Sequence, residues 1–325
     1  MTALVKRRGL LLGLAALPLA SRLARGETYP SRPVRIIVAT SAGGGTDLVA
    51  RFIAQWLSER LGQSFVVENR PGGGNNIGTE MAARAPADGT TLFMANTVNT
   101  INNSLYRKLN YNFISDFTPV ANVMGTPLLV LVHPSVKANN AAELIALAKA
   151  NPGKLNLASG GVGSTGHMSA ELLQMIAGIK FTHVPYRGEA PALTDLIGGH
   201  VSMYFSSMPP AIQLVKEGKI RALGVTGLTR SPIFPELPTI AEAALPGYEA
   251  VLHYGIIAPA GTPKPYVTKL NAALRQAVMS DELKQKLAAD GTEPLASTPE
   301  QYAADIDKEE TKWSAIVKKS GAKAE

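Results

Sequence analysis

Two glycine-rich turns hold the residues best suited to chemistry in this chain. The first, Ser41-Ala42-Gly43-Gly44-Gly45-Thr46, ends an apolar run that starts at Val34 and precedes a helix-like segment. The second, Ser159-Gly160-Gly161-Val162-Gly163-Ser164-Thr165-Gly166-His167, does the same after Leu155. Glycine lets backbone N–H groups turn outward where a helix begins, and bare N–H groups at the positive end of a helix dipole hold an anion without a cationic side chain. Two such turns far apart in sequence suggest one anion gripped from two sides. Taken singly, each reads equally well as a tight strand-to-helix turn.

Other chemistries fit poorly. Gly163-Ser164-Thr165-Gly166 lacks the spacer of a nucleophile elbow, and no phosphate-loop lysine follows either glycine turn. Gly161, Gly163 and Gly166 match a dinucleotide fingerprint, but the acidic residue expected about 20 residues on is missing from Ile179-Lys180-Phe181-Thr182-His183. The five histidines, His133, His167, His183, His200 and His253, show no metal-ligand spacing, and without cysteine a metal site would have to come from distant carboxylates. No metal and no cofactor is expected. His167 stands apart because the first turn of the second helix brings an imidazole near an anion, although packing or loop bracing would place it there equally well. Arg187 in Val184-Pro185-Tyr186-Arg187-Gly188 follows a strand and has the charge to neutralise an acid, or simply faces solvent.

The elements that must position these turns alternate. Expected strands are Val34–Thr40, Phe65–Asn69, Thr91–Asn96, Leu128–His133, Leu155–Ser159, Phe181–Tyr186, Val201–Ser206, Ile220–Thr226 and Tyr254–Ala258. Expected helices are Thr46–Leu61, Asn75–Ala85, Asn140–Ala150, Thr165–Ile179, Ala190–Ile197, Pro209–Glu217, Pro263–Met279, Asp281–Asp290 and Pro299–Lys319, the last capped by Thr298. This is an α/β grammar of mainly parallel sheets flanked by helices, whose ligand crevices lie at strand carboxyl ends, where both glycine turns fall. The middle strands read as a lobe of residues 126–227 inserted into a discontinuous lobe of 27–125 plus 228–325, with crossings near Gly125 and Gly227.

At 325 residues, 46% hydrophobic and 18% charged, the chain suits a folded two-domain protein. Residues 1–26 read as an export signal cleaved after Gly26: Lys6-Arg7-Arg8 precede an apolar stretch from Gly9 to Ala20, and Ala24-Arg25-Gly26 offers small residues at the cleavage site. That stretch is well short of the roughly 20 residues of a spanning helix. The arginine pair leaves the export route open between general secretion and twin-arginine transport. The signal carries five of the 32 basic residues and no acidic one, so the mature chain has 27 basic against 25 acidic residues, a net charge of +2. That balance argues against nucleic-acid binding. The absence of cysteine excludes disulfides and thiolate sites.

Several motifs carry a resemblance. Val66-Val67-Glu68-Asn69-Arg70-Pro71-Gly72, Asn76-Ile77-Gly78-Thr79, Asp116-Phe117-Thr118-Pro119-Val120, Val184-Pro185-Tyr186-Arg187-Gly188 and Ala258-Pro259-Ala260-Gly261-Thr262-Pro263 resemble the Bug family, the periplasmic solute-binding receptors of tripartite tricarboxylate transporters. The likeness spans the mature chain. It implies a two-lobed type II periplasmic-binding-protein fold that closes over a small ligand, usually a carboxylate, held by backbone N–H groups and water from Thr40 to Thr46 and from Ser159 to His167. Three departures from the family pattern bear on the ligand: Ala39-Thr40 replaces Pro-Phe, Ser206 stands where an aspartate suited to a ligand amine is common, and His253 stands where tryptophan is common. They imply a more polar pocket and make an amino-acid ligand less expected.

The expected site therefore comprises Thr40, Ser41, Ala42, Gly43, Gly44, Thr46, Ser159, Gly161, Val162, Ser164, Thr165, His167, Ser206 and His253, with Phe205 as an apolar wall. The expected function is a non-enzymatic, monomeric periplasmic receptor that captures a mono-, di- or tricarboxylate and delivers it to the membrane permease of a tripartite tricarboxylate transporter. The alternatives are a ligand-sensing partner of a membrane regulator, and an exported hydrolase or isomerase with His167 or His253 as base.

Overall fold

Apolar runs buried on both faces nucleate each half of the molecule. In the computed structural model, which describes residues 29–324 except Asp290, all six residues of Thr91–Asn96 and all four of Leu129–Val132 are buried. Continuous burial of this kind is what central strands covered by helices require. The proposed export signal and its cleavage after Gly26 lie outside the described residues.

In chain order the first half runs β1 (Val34–Val38), α1 (Gly45–Leu61), β2 (Phe65–Asn69), α2 (Asn76–Ala83), β3 (Thr91–Asn96), α3 (Thr97–Leu105) and β4 (Phe117–Pro127). The second runs β5 (Leu129–Val132), α4 (Ala141–Ala150), β6 (Asn156–Ser159), α5 (Thr165–Ala177), β7 (Thr182–Pro185), α6 (Glu189–Ile197), β8 (Met203–Ser206), α7 (Met208–Lys216), β9 (Arg221–Val225) and α8 (Ile240–Ala243). The chain then returns through β10 (Val251–Pro259), α9 (Lys264–Met279), α10 (Asp281–Ala289), β11 (Glu293–Pro294) and α11 (Pro299–Ser320). Two sheets result, in the orders β11-β4-β10-β3-β1-β2 and β7-β6-β8-β5-β9.

Both sheets are mixed rather than mainly parallel. β1 pairs in parallel with β2 and β3, and β6 with β7 and β8, while β10 runs antiparallel between β3 and β4, and β5 antiparallel between β8 and β9. A strand that re-enters its sheet from another lobe needs no local crossover helix, so it can run either way.

Four elements appear that the sequence pattern does not announce: β4, α3 and the short α8 and β11. β4 runs through Pro119, Gly125 and Pro127, and its pairing with β10 slips twice, leaving Val120 and Val123 as extra residues that let a proline-bearing strand sit inside a sheet. α3 is rich in Asn, Thr and Ser, all poor in helix interiors, and starts on a capping box between Asn96 and Asn99.

The lobes are joined side by side at Thr226. Its N–H donates to Leu128 O, its hydroxyl accepts from Leu128 N–H at 2.7 Å and donates to Ala250 O, and Ala250 N–H donates to Thr226 O. Gly125 pairs with His253 inside the first sheet, so the outward crossing falls at Pro127–Leu129, not at Gly125. Phe234, Ile240, Tyr248 and Ala250 lie in second-lobe cores, which moves the return crossing from Gly227 to Ala250–Val251. α11 ties the halves together a third time: Tyr302 and Ile306 pack with Phe93 and Phe117, while Trp313, Ile316 and Val317 pack with Leu128 and Phe205.

Thr226 is fully buried, so Thr226→Val keeps its shape but strands a buried N–H and a buried carbonyl. We expect a loss of about 2–4 kcal/mol in urea unfolding. A loss under about 0.5 kcal/mol would show that other contacts hold the crossings.

Candidate functional site

The first glycine turn owes its shape to a buried carboxylate. Asp47, in the first turn of α1 and 1% exposed, accepts Gly43 N–H at 2.8 Å, Arg51 Nε at 2.9 Å and Asn69 Nδ2 at 2.9 Å. Asn69 also donates to Thr40 O at 3.1 Å. Burial pushes the Asp47 carboxyl up, and the hydrogen bonds from Arg51, Gly43 and Asn69 outweigh it, holding it below the usual carboxylate range. Gly43 N–H is thus consumed within the protein. Past it, the N-cap Gly44 offers α1 no side-chain cap, so the N–H groups of Gly45, Thr46 and Asp47 have no acceptor among the described residues. Ser41 to Gly45 are exposed, and the buried Thr40 hydroxyl has no partner among the described residues. A Cβ on Gly45 would lie 3.0 Å from the Tyr254 hydroxyl, which itself makes no hydrogen bond among the described residues.

The second turn is braced from beneath. Ser159 Oγ accepts Gly161 N–H at 3.1 Å and shares a hydrogen bond of 2.6 Å with His183 Nε2. His183 stacks on His167 with centroids 3.9 Å apart. His167 Nδ1 accepts Gly163 N–H at 3.2 Å, which places its proton on Nε2, 3.5 Å from Glu171. Ser164 caps α5 by accepting His167 N–H at 3.3 Å, leaving the N–H groups of Val162, Thr165 and Gly166 without acceptors among the described residues. Gly163 (φ +78°) abuts Leu105 of α3 so closely that a Cβ would fall 2.2 Å from its Cδ2. Asn96, at the other end of α3, donates to Thr46 Oγ1 at 3.2 Å, so the two turns converge on opposite ends of one short helix.

This geometry redistributes the expected residues. Thr40, Ser41, Ala42, Gly44, Thr46, Val162 and Thr165 keep an unbonded group among the described residues or an exposed surface. Gly43, Ser159, Gly161, Ser164 and His167 instead spend the predicted donors and side chains on bracing the loops. Phe205 is 1% exposed and belongs to the core. Ser206 is fully buried and donates to Glu189 Oε1 at 2.8 Å and to Ser207 O at 2.7 Å. His253 lines a small cavity of about 20 Å³ with Asn96, Thr97, Asn122, Tyr302 and Glu309, its Nδ1 3.9 Å from Glu309 Oε2. No residue pattern among the described side chains groups three metal ligands.

Sequence reasoning missed Asp47, Asn96, Tyr254 and Glu189. An acidic residue in the first turn of a helix that follows a glycine loop is a readable sign for Asp47; the other three come from elements whose proximity only the fold reveals. Glu189 also removes the premise that no carboxylate serves the end of β8, because its side chain lies on Ser206 and Ser207.

The model of the tripartite tricarboxylate transporter family receptor matches residues 49–322. The chain belongs to that family. Protein BugT of Bordetella pertussis is 36% identical over 299 residues, covering 91% of this chain and 92% of BugT. Among solved structures, R. palustris Rpa4515 with adipate is 38% identical with a TM-score of 0.81, covering 91% of this chain and 99% of that one. MatC from Rhodopseudomonas palustris with bound malate is 32% identical with a TM-score of 0.77, covering 89% and 100%. The receptor family's two-lobed periplasmic-binding-protein fold is the one described above, and its solved relatives include the periplasmic binding protein BugD.

The bracing has a pH signature. Burial, and then the adjacent His167, push the His183 imidazole down from the usual 6.5 to about 4, against the pull of Glu171. The unfolded chain takes up this proton below about 6.5 and the folded chain only near 4, so stability falls as pH drops through that window. Allowing for partial exposure, His183 accounts for about 1–2 kcal/mol of that loss. Urea melts from pH 7 to pH 4 should show this component in the parent and not in His183→Gln; equal slopes in both would remove His183 as its source.

Proposed function

We propose that the protein is a periplasmic receptor that closes its two lobes on a small organic acid, a mono-, di- or tricarboxylate, and delivers it to the membrane permease of a tripartite tricarboxylate transporter. The observation that carries this reading is the uncapped start of α1, where three consecutive N–H groups lack acceptors, and the Thr40 and Tyr254 hydroxyls lack partners, among the described residues. A carboxylate there completes the helix, and each N–H to a charged oxygen is a strong hydrogen bond once water is excluded. Thr165 and Gly166 at the start of α5 supply the same kind of donor from the other lobe. The acid-bound relatives support the ligand class. Closure bends the chain at the crossings around Thr226, where few residues need to change conformation.

The backbone donor can be tested by substitution. Gly45 is the first helical residue and Gly44 before it is extended (φ −81°, ψ 167°), a setting that accepts proline. Gly45→Pro deletes one N–H and Gly45→Ala keeps it, while both add a Cβ near Tyr254. Calorimetric titration with a panel of mono-, di- and tricarboxylates should show Gly45→Pro binding about 10-fold or more weakly than Gly45→Ala. Equal affinities would exclude this N–H from the site, and no binding of any acid by the parent would overturn the receptor reading.

A further inference from the structure

We propose that Glu189 is the charge-selecting residue of the cleft, favouring an acid whose far end carries an ammonium or hydroxyl group over one that carries a second carboxylate. The inference rests on the acid-receptor reading and adds the polarity of the ligand's other end.

Glu189 opens α6, and the backbone of Gly188 and Glu189 packs against Gly160 of the second glycine turn. Its carboxylate reaches over the end of β8: Oε1 accepts Ser206 Oγ at 2.8 Å and Ser207 N–H at 3.0 Å, and Oε2 accepts Ser207 Oγ at 2.9 Å. Hydrogen-bond donors therefore hold the charge in place. No lysine or arginine forms an ion pair with it among the described residues, and Arg187, two positions earlier, is exposed.

Burial pushes the Tyr254 hydroxyl well above its usual range, and the Glu189 carboxylate adds to the rise although Tyr254 belongs to β10 in the other lobe. Tyr254 abuts Gly45 at the start of α1 and the Glu189 backbone packs on Gly160 of the second turn, so a ligand held between the two turns has the positive end of α1 on one side and a half-buried carboxylate on the other. A ligand carboxylate belongs at the α1 pole. At the Glu189 pole a cation or donor offsets the cost of burying an unpaired charge, whereas a second carboxylate meets like charge inside a Debye length.

Calorimetric titration of the full mature protein at pH 7.5 and low salt, comparing 4-aminobutanoate with succinate and 6-aminohexanoate with adipate, tests this directly. Wherever a pair binds, the amino acid should be about 10-fold tighter than the diacid. Glu189→Gln, which keeps the acceptor and removes the charge, should bring the pair within about threefold or reverse it. A purely structural role would change melting temperature in that variant while leaving the ratio untouched. Diacids binding more tightly than amino acids in the parent, or an unchanged ratio in Glu189→Gln, overturns the inference while leaving the receptor reading standing. Silence from every acid overturns both.

Discussion

The cleft depends on Asp47 staying ionised in a buried position. A carboxylate 1% exposed is tolerable only with donors around it, and Asp47 recruits three of them: a loop N–H, an arginine one turn along α1 and an asparagine from β2. Those bonds fix the turn so that the next N–H groups of α1 face outward with nothing to satisfy them. The negative charge beside an anion site looks like a contradiction until the partners are counted, because Arg51 offsets it and Gly43 N–H screens it from the cleft side.

The second lobe solves the same problem with neutral groups. Its turn is shaped by Ser159, His183 and His167, with the buried His167 imidazole stacked on the half-buried His183. The two turns then meet at α3, one bonded to Asn96 and the other packed on Leu105, while α11 runs from the Phe93 core to the Trp313 core behind them. Glu309 in the middle of α11 braces the helix internally, accepting Trp313 Nε1 at 2.7 Å and Lys312 Nζ at 3.1 Å. A rigid helix that crosses both cores restricts lobe motion to rotation about it and the Thr226 crossings.

Much of this was legible in the sequence because it follows from local pattern. β1, β3 and β5 are short apolar runs, α1 and α5 begin at glycine turns, and α11 begins at its threonine capping box with proline at the first position. β4 was hidden by Pro119, Gly125 and Pro127, residues that signal a break unless bulges and a returning partner strand accommodate them. α3 was hidden by its Asn, Thr and Ser content, which tertiary packing overrides. At the site, the glycine turns were readable since backbone donors require only a loop before a helix. Ser159, His167 and Ser206 have partners within the protein and His253 lines a separate small cavity, which the sequence does not announce because a polar side chain near a glycine turn serves bracing as readily as binding.

The central claim is that an acid is held by the free N–H groups of α1, with those of α5 opposite. A crystal structure of the mature protein with a bound carboxylate reads this directly. The account predicts carboxylate oxygens within about 3 Å of the backbone nitrogens of Gly45 and Thr46, with Thr165 or Gly166 closing from the second lobe. A carboxylate seated instead on Arg187, or in the cavity beside His253, with the α1 N–H groups bonded only to water, would contradict it.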